Sequence, residues 1–244
     1  MPEPNSMPRA RNSSTAALNS RRPQAPGARQ SRRTVTMPGT ASQESPRTLL
    51  ELNRAISAAR PLVPGAMHAV LGEGPVGAAI AFVGEQPGDQ EDLQGRPFVG
   101  PAGQLLNRAM SEAGIDRNRS YLTNAVKHFK FEQRGKRRIH QKPTAGEVRH
   151  YRWWLNKELT LVHPRLIVAL GATAVLALAG KALPIARFRG KADFAGRLGY
   201  ITVHPSFLLR IPDAEAKRQA YEGFVADLRA IRALVRSPIA RQAL

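Results

Sequence analysis

The 244-residue chain contains no cysteine. That single absence excludes disulfides, thiolate-built zinc sites and iron–sulfur clusters held by cysteine. It leaves the compartment open, because a cysteine-free chain folds in either redox setting. Long apolar runs are missing too. No stretch approaches the ~20 residues needed to span a bilayer, and the Arg- and Ser-rich beginning lacks the apolar segment of a secretory signal. A soluble, cytoplasmic protein with no membrane partner is the expectation. Negative charge is also scarce: 18 Asp and Glu stand against 37 Lys and Arg, a net charge of +19. Such a surface attracts polyanions, of which nucleic acid is the commonest. The alternative is charge that only keeps the chain soluble.

Residues 1–44 are rich in Pro, Ser, Arg, Gln and Ala and poor in large apolar residues, so they read as a disordered tail. Residues 1–47 hold eight Arg and two Glu, leaving +13 for the remainder, so the basicity is not confined to the tail. A folded domain is expected over 45–240. Leu49, Leu52 and Ile56 fall at helical spacing after Ser45-Pro46. Short apolar runs at 79–84, 120–126, 165–171 and 199–204 suit buried strands, and helices are expected after Gly103, over 144–161, over 172–179 and over about 213–235. Thr144 three residues before Glu147 is a capping-box signature. Strands alternating with helices predict an α/β domain, a parallel sheet between helical layers. In such sheets function gathers beyond the carboxyl ends of the strands. Three of those ends carry polar residues: Gly84-Glu85-Gln86, Thr123-Asn124 and His204-Pro205-Ser206.

The stretch GEQPGDQEDLQGRPFVGPAG (84–103) is either an ordinary turn-rich surface loop or a site. It concentrates Glu85, Asp89, Glu91 and Asp92 in a basic chain, and sets Phe98 among glycines and prolines, where a flat ring can be presented. In HPSFLLR (204–210), His204 is either a satisfied structural histidine or a functional donor. Leu208, Leu209 and Arg210 form an apolar wedge with a basic neighbour, suited to entering a duplex. Residues 127–142 read as a basic loop with seven Lys or Arg and one Glu, ending in GKRRIH (135–140), where Lys136, Arg137 and Arg138 suit phosphates. On charge alone His140 is one more phosphate contact. Phe129 and Phe131 within the loop are expected to be core anchors.

Together GEQPGDQEDLQGRPFVGPAGQLL, YLTNAVKHFKF, KRRIH and HPSFLLR resemble the motifs of the uracil-DNA glycosylase superfamily. Within it they are most similar to the UdgX group, relatives of the family 4 enzymes, in order through roughly residues 45–235. The resemblance implies a three-layer α/β/α sandwich with a mostly parallel four-stranded sheet. It implies a bacterial, nucleoid-associated, monomeric DNA repair enzyme whose partner is uracil-containing DNA. Such enzymes flip a uracil nucleotide out of the stack and cleave its N-glycosidic bond. Phe98 matches the ring that stacks on uracil, and Asn124 the amide that reads its N3–H and O4 edge. His204 matches the imidazole that donates to uracil O2, assisted by the backbone N–H of Gln86. A donor aimed at the leaving oxygen acts as an oxyanion hole does. Glu85 and Asp89 match carboxylates that support the sugar cation or activate a nucleophile. Ser206 with Leu208, Leu209 and Arg210 falls in the DNA-binding segment. In the UdgX group a histidine of the KRRIH loop attacks the sugar C1′ and stays bonded to the DNA. By position it is His140, with Arg138 holding the loop.

The chain departs from that family at one point. Family 4 and UdgX proteins hold a 4Fe–4S cluster with four cysteines, and here Ser57-Ala-Ala-Arg60 and His150-Tyr-Arg-Trp-Trp154 stand near the ligand positions. No cofactor and no metal are expected, with Tyr151, Trp153 and Trp154 filling the volume. Two other readings stay open: a glycosylase that uses water and releases an abasic site, and a non-catalytic basic DNA-binding module.

Overall fold

The apolar runs become strands buried on both faces. A computed structural model describes residues 45–61 and 65–237; the expected tail at 1–44 lies outside the described residues, as do 238–240 of the expected domain. Strand β1 (Ile80–Gly84) lies inside the sheet, parallel to β2 (Tyr121–Asn124) on one side and β5 (Leu166–Leu170) on the other. Strand β7 (Arg197–Thr202) continues the parallel set beyond β5. These are the four strands expected. A fifth, β6 (Gly190–Phe194), adds an antiparallel edge, giving the order β2-β1-β5-β7-β6. It was not expected because GKADF alternates polar and apolar residues and has no buried run.

Side chains alternate across the sheet. Ala81, Val83, Ile167, Ala169 and Ile201 enter one apolar cluster, while Ile80, Phe82, Leu166, Val168 and Leu170 enter the other. Helices α1 (Leu49–Ala58), α4 (Ala145–Val162) and α5 (Ala172–Ala179) supply the first cluster. The second is covered by α3 (Pro101–Glu112) and α8 (Ala214–Arg236). The result is an α/β fold with a mostly parallel sheet between helices. The capping box of Thr144 and Glu147 opens α4 as expected, and a second one, Thr48 with Glu51, opens α1 two residues after Pro46.

Two expected loops contain structure. Within 84–103 lies the short helix α2 (Asp89–Gln94), which the turn residues around it disguised. The basic segment folds back as a hairpin of β3 (Phe131–Arg134) and β4 (Arg137–His140), turning at Gly135 with φ +58. Short helices α6 (Ile185–Phe188) and α7 (Pro205–Leu209) precede β6 and follow β7. Among the described residues no helix is long and apolar enough to cross a membrane.

Candidate active site

The polar strand ends meet. Glu85, Gln86, Asn124, His204 and Ser206 line one cavity of about 1030 Å³ beyond the carboxyl edge of the sheet, together with Asp89, Phe98, His140, Leu209 and Arg210. Close packing at β1 and β2 creates the polar floor. Gly84 pairs with Asn124 in register, and a Cβ on Gly84 would collide with Asn124 Oδ1 and come within 2.7 Å of Phe98 Cζ. The glycine is therefore what lets the amide and the ring share one wall. Phe98 itself has φ +57, a conformation costly for a non-glycine residue. Its backbone is held against Gly103, where any Cβ would strike the Phe98 carbonyl.

His204 ends β7's run into the cavity and caps α7 with its own ring. Nδ1 accepts the Ser206 backbone N–H at 3.2 Å and lies 2.8 Å from Ser206 Oγ, which itself accepts from Arg210 Nη1 at 3.0 Å. With its hydrogen bond from Arg210 filling an acceptor position, the Ser206 hydroxyl directs its proton to Nδ1. Two donors thus converge on one nitrogen, leaving the ring's proton on Nε2. Burial pushes this imidazole down to about 4, with Arg210 and His140 adding and Glu85 opposing. His204 is a neutral donor at physiological pH.

Glu85 joins two elements. Its Oε1 lies 3.3 Å from His140 Nε2, and its Oε2 accepts from Thr173 at the start of α5. Burial pushes the carboxyl up, but the hydrogen bonds from His140 and Thr173 outweigh it and hold Glu85 below the ordinary range. An ionised Glu85 takes the Nε2 proton as its hydrogen bond, so a neutral His140 keeps its lone pair on Nδ1. The His140 side chain is 49% exposed at the tip of β4.

The hairpin that carries His140 is fastened at both ends. Gln86 Nε2 donates to the carbonyls of Lys130 and Gln141 at 3.1 Å each, and its Oε1 accepts from Lys130 N at 3.2 Å. Arg138 lies over the Phe129 and Phe131 rings and pairs with Asp89 at 2.6 Å and Asp92 at 2.5 Å. Asp92 is fully buried and also accepts from Met67 N and His68 N. Phe129 is buried as expected of a core anchor, and Phe131 is half-buried against it.

Several expectations need correction. Leu208 is fully buried under α7, so it cannot be part of a wedge; the exposed apolar residues there are Phe207 and Leu209. Arg138 spends its charge on two aspartates rather than on phosphates, which fits its other expected part, holding the loop. Asp89 is one of those partners and also lines the cavity. Of the seven basic residues in 127–142, Lys127 is buried against Glu158 at 2.6 Å, Lys130 pairs with Glu147 and Arg134 with Glu132. Lys136, Arg137 and Lys142 remain exposed without an ion pair among the described residues, and of these Lys142 lines the cavity. Thr173 and Arg189, which also line or support the site, were not anticipated. Thr173 was findable as the first polar residue after the buried strand β5; Arg189 carries no local signal.

The residues near the expected cluster positions do not fit a thiolate-held cluster. Ser57 and Arg60 are exposed at the end of α1, and the buried Tyr151 hydroxyl meets His128 Nδ1 at 2.6 Å. Hydroxyl, guanidinium and phenol are not the soft anionic donors iron–sulfur clusters take. Tyr151 is in the core and Trp154 packs against it, but Trp153 is 51% exposed and fills no interior volume. Among the described residues no group of His, Asp and Glu could hold a metal ion.

The family model described as "Uracil DNA glycosylase superfamily" matches residues 71–229. The chain is 40% identical over 165 residues to the type-4 uracil-DNA glycosylase of Thermotoga maritima, covering 66% of this chain and 82% of that protein. It is 37% identical over 155 residues to that of Pyrobaculum aerophilum, covering 59% and 75%. A DNA polymerase of Bacillus phage SP01 matches over 166 residues at 30% identity, 67% of this chain and only 16% of the polymerase.

Proposed function

The chain belongs to the uracil DNA glycosylase superfamily, and on that footing we propose that it excises uracil from DNA and then bonds its own His140 to the sugar. Phe98 stacks on the flipped base and Asn124 reads its N3–H and O4 edge. Cytosine presents the reverse donor–acceptor pair and would leave the buried amide unpaired, which is how a polar pocket rejects a near-isostere. As the N1–C1′ bond breaks, its electron pair goes to the base. The charge collecting on O2 meets the Nε2–H of His204, where one preset donor is worth about 3 kcal/mol. The cationic sugar forms beside ionised Glu85.

The imidazole lone pair of His140 then forms the new bond to C1′, and the positive charge left on the ring is carried by the Nε2–H facing Glu85. The observation that carries this reading is the 3.3 Å contact of His140 with Glu85 inside the cavity that also holds His204 and Asn124. All these groups come from one chain, so a monomer suffices. The reading takes the chain as a UdgX-type enzyme that works without an iron–sulfur cluster; stoichiometric iron in purified protein would overturn that part.

A second reading has water complete the reaction and release an abasic site; the 22% exposure of the Glu85 side chain leaves room for that water. A labelled uracil-containing oligonucleotide run on a denaturing gel separates the two. A band resistant to SDS and heat supports the adduct, and a strand that breaks only after alkali supports turnover. His140→Ser should abolish the shifted band while excision continues. A shift that survives the change would remove His140 from the role.

A further inference from the structure

At about 1030 Å³ the cavity stands at the upper end of the range of small-molecule pockets, roughly 300–1,000 Å³, with space beyond a single flipped base. Part of its lining is formed by Leu170–Ala172 at the end of β5, Ile185 and Ala186 of α6, and Arg189. On that wall the lining is apolar or backbone, and Arg189 supplies its one charged side chain. Arg189 is not loose. Its Nε donates to Asp227 Oδ2 at 2.7 Å, and Asp227 also accepts from Tyr200 Oη at 3.1 Å and from Thr202 Oγ1. Asp227 is buried on α8, while Tyr200 and Thr202 stand on β7, the strand that delivers His204 two residues later. No acceptor among the described residues meets the two terminal amino groups of Arg189. They lie over Gly223, where an added Cβ would sit 3.3 Å from Nη2.

We propose that Arg189 binds a phosphodiester of the DNA strand flanking the flipped nucleotide, preset by Asp227. A guanidinium fixed through Nε offers both Nη groups in a planar fork that matches two phosphate oxygens. Prior fixation lowers the ordering cost of binding. Because Asp227 is shared with Thr202, the phosphate contact and the His204 donor are referenced to the same strand. An ion pair serving only to join α8 to the start of β6 gives no reason for Arg189 to line the cavity. The inference rests on the glycosylase reading only in naming the nucleotide at the centre; the phosphate contact is testable without excision.

The test uses the full chain and a set of oligonucleotides, each with one phosphate near the uracil replaced by a neutral methylphosphonate. Affinity is measured for wild type, Arg189→Gln and Gly223→Leu, with folding followed by circular dichroism. In wild type one methylphosphonate position should weaken binding about tenfold, the loss of a charge-assisted hydrogen-bonded pair. In Arg189→Gln that position should lose its penalty while the other positions keep theirs, and the slope of log K against log salt should fall by about 0.7–0.9. Gly223→Leu keeps the charge but fills the seat, and should abolish the same position-specific penalty. If every penalty and the salt slope persist in folded Arg189→Gln, Arg189 only joins α8 to β6 and the proposal fails. The proposal also fails if Arg189→Gln does not fold and Gly223→Leu keeps the penalty. Uracil release by the wild-type protein, assayed alongside, reports separately on the glycosylase reading.

Discussion

Replacing Arg138 by Met separates a latch from a phosphate contact. In the structure this guanidinium bridges Asp89 and the fully buried Asp92, and it stacks over Phe129 and Phe131. Removing one partner of a buried pair leaves an uncompensated charge and costs about 3–5 kcal/mol. Asp92 keeps two backbone donors, Met67 N at 3.0 Å and His68 N at 3.2 Å, and Met preserves much of the packing, so the lower end, about 3 kcal/mol, is expected. In a domain of this size that lowers the melting temperature by about 6–12 °C. Urea denaturation gives the free energy, and adding Asp92→Asn to Arg138→Met should recover part of it, because the buried charge disappears with its partner. The adduct band should weaken far more than uracil release, since His140 is two residues along the same strand. DNA binding should keep its salt slope, whereas Lys136→Gln or Arg137→Gln should lower it. A loss below 1 kcal/mol together with a shallower salt slope for Arg138→Met would refute the latch and return Arg138 to the phosphates.

Three more outcomes follow from the same geometry. His204 is depressed to about 4 in the fold against about 6.5 unfolded, so unfolding takes up a proton between these values; its stability contribution is full above pH 6.5 and is lost as pH falls towards 4. Urea titrations at pH 7.5 and 5.5 should show that loss in wild type and a smaller one in His204→Gln; equal losses would contradict the assignment. Gly84→Ala should reduce kcat/KM for uracil release by about ten- to a hundredfold, because overpacking of about 1–3 kcal/mol falls on the Asn124–Phe98 wall; unchanged kinetics would mean that wall does not hold the base. Thr173→Val removes a donor to Glu85 and should shift the acidic limb of the pH–rate profile upwards, with Thr173→Ser restoring it; an unmoved limb would remove Thr173 from the site.

The legible parts of this fold are those where local chemistry and tertiary role coincide. Residues 80–84 and 166–170 are apolar throughout because both faces of a parallel strand are covered, so their sequence reads directly as strand. The Thr144–Glu147 box announces α4 because the orphan N–H groups of a helix start are satisfied within four residues. The hairpin of β3 and β4 was hidden because its strands are short, charged and largely exposed, a composition shared with loops. Edge strand β6 was hidden for a related reason: it needs only one apolar face.

The site divides along the same line. Sequence by itself determined which chemical groups the chain owns: no thiolate, a surplus of cations, and Glu85, Gln86, Asn124 and His204 at the ends of runs that must be strands. Tertiary structure alone decided what each group is free to do. It turned Leu208 inward and left Leu209 out, because successive residues of helix α7 project about 100° apart. It spent Arg138 on Asp89 and Asp92, 49 and 46 residues away. It set Arg189 in the lining of a cavity that no local pattern announces. Charge is a property of a residue, but whether that charge is available depends on which acid stands beside it, and that is settled only when distant segments pack.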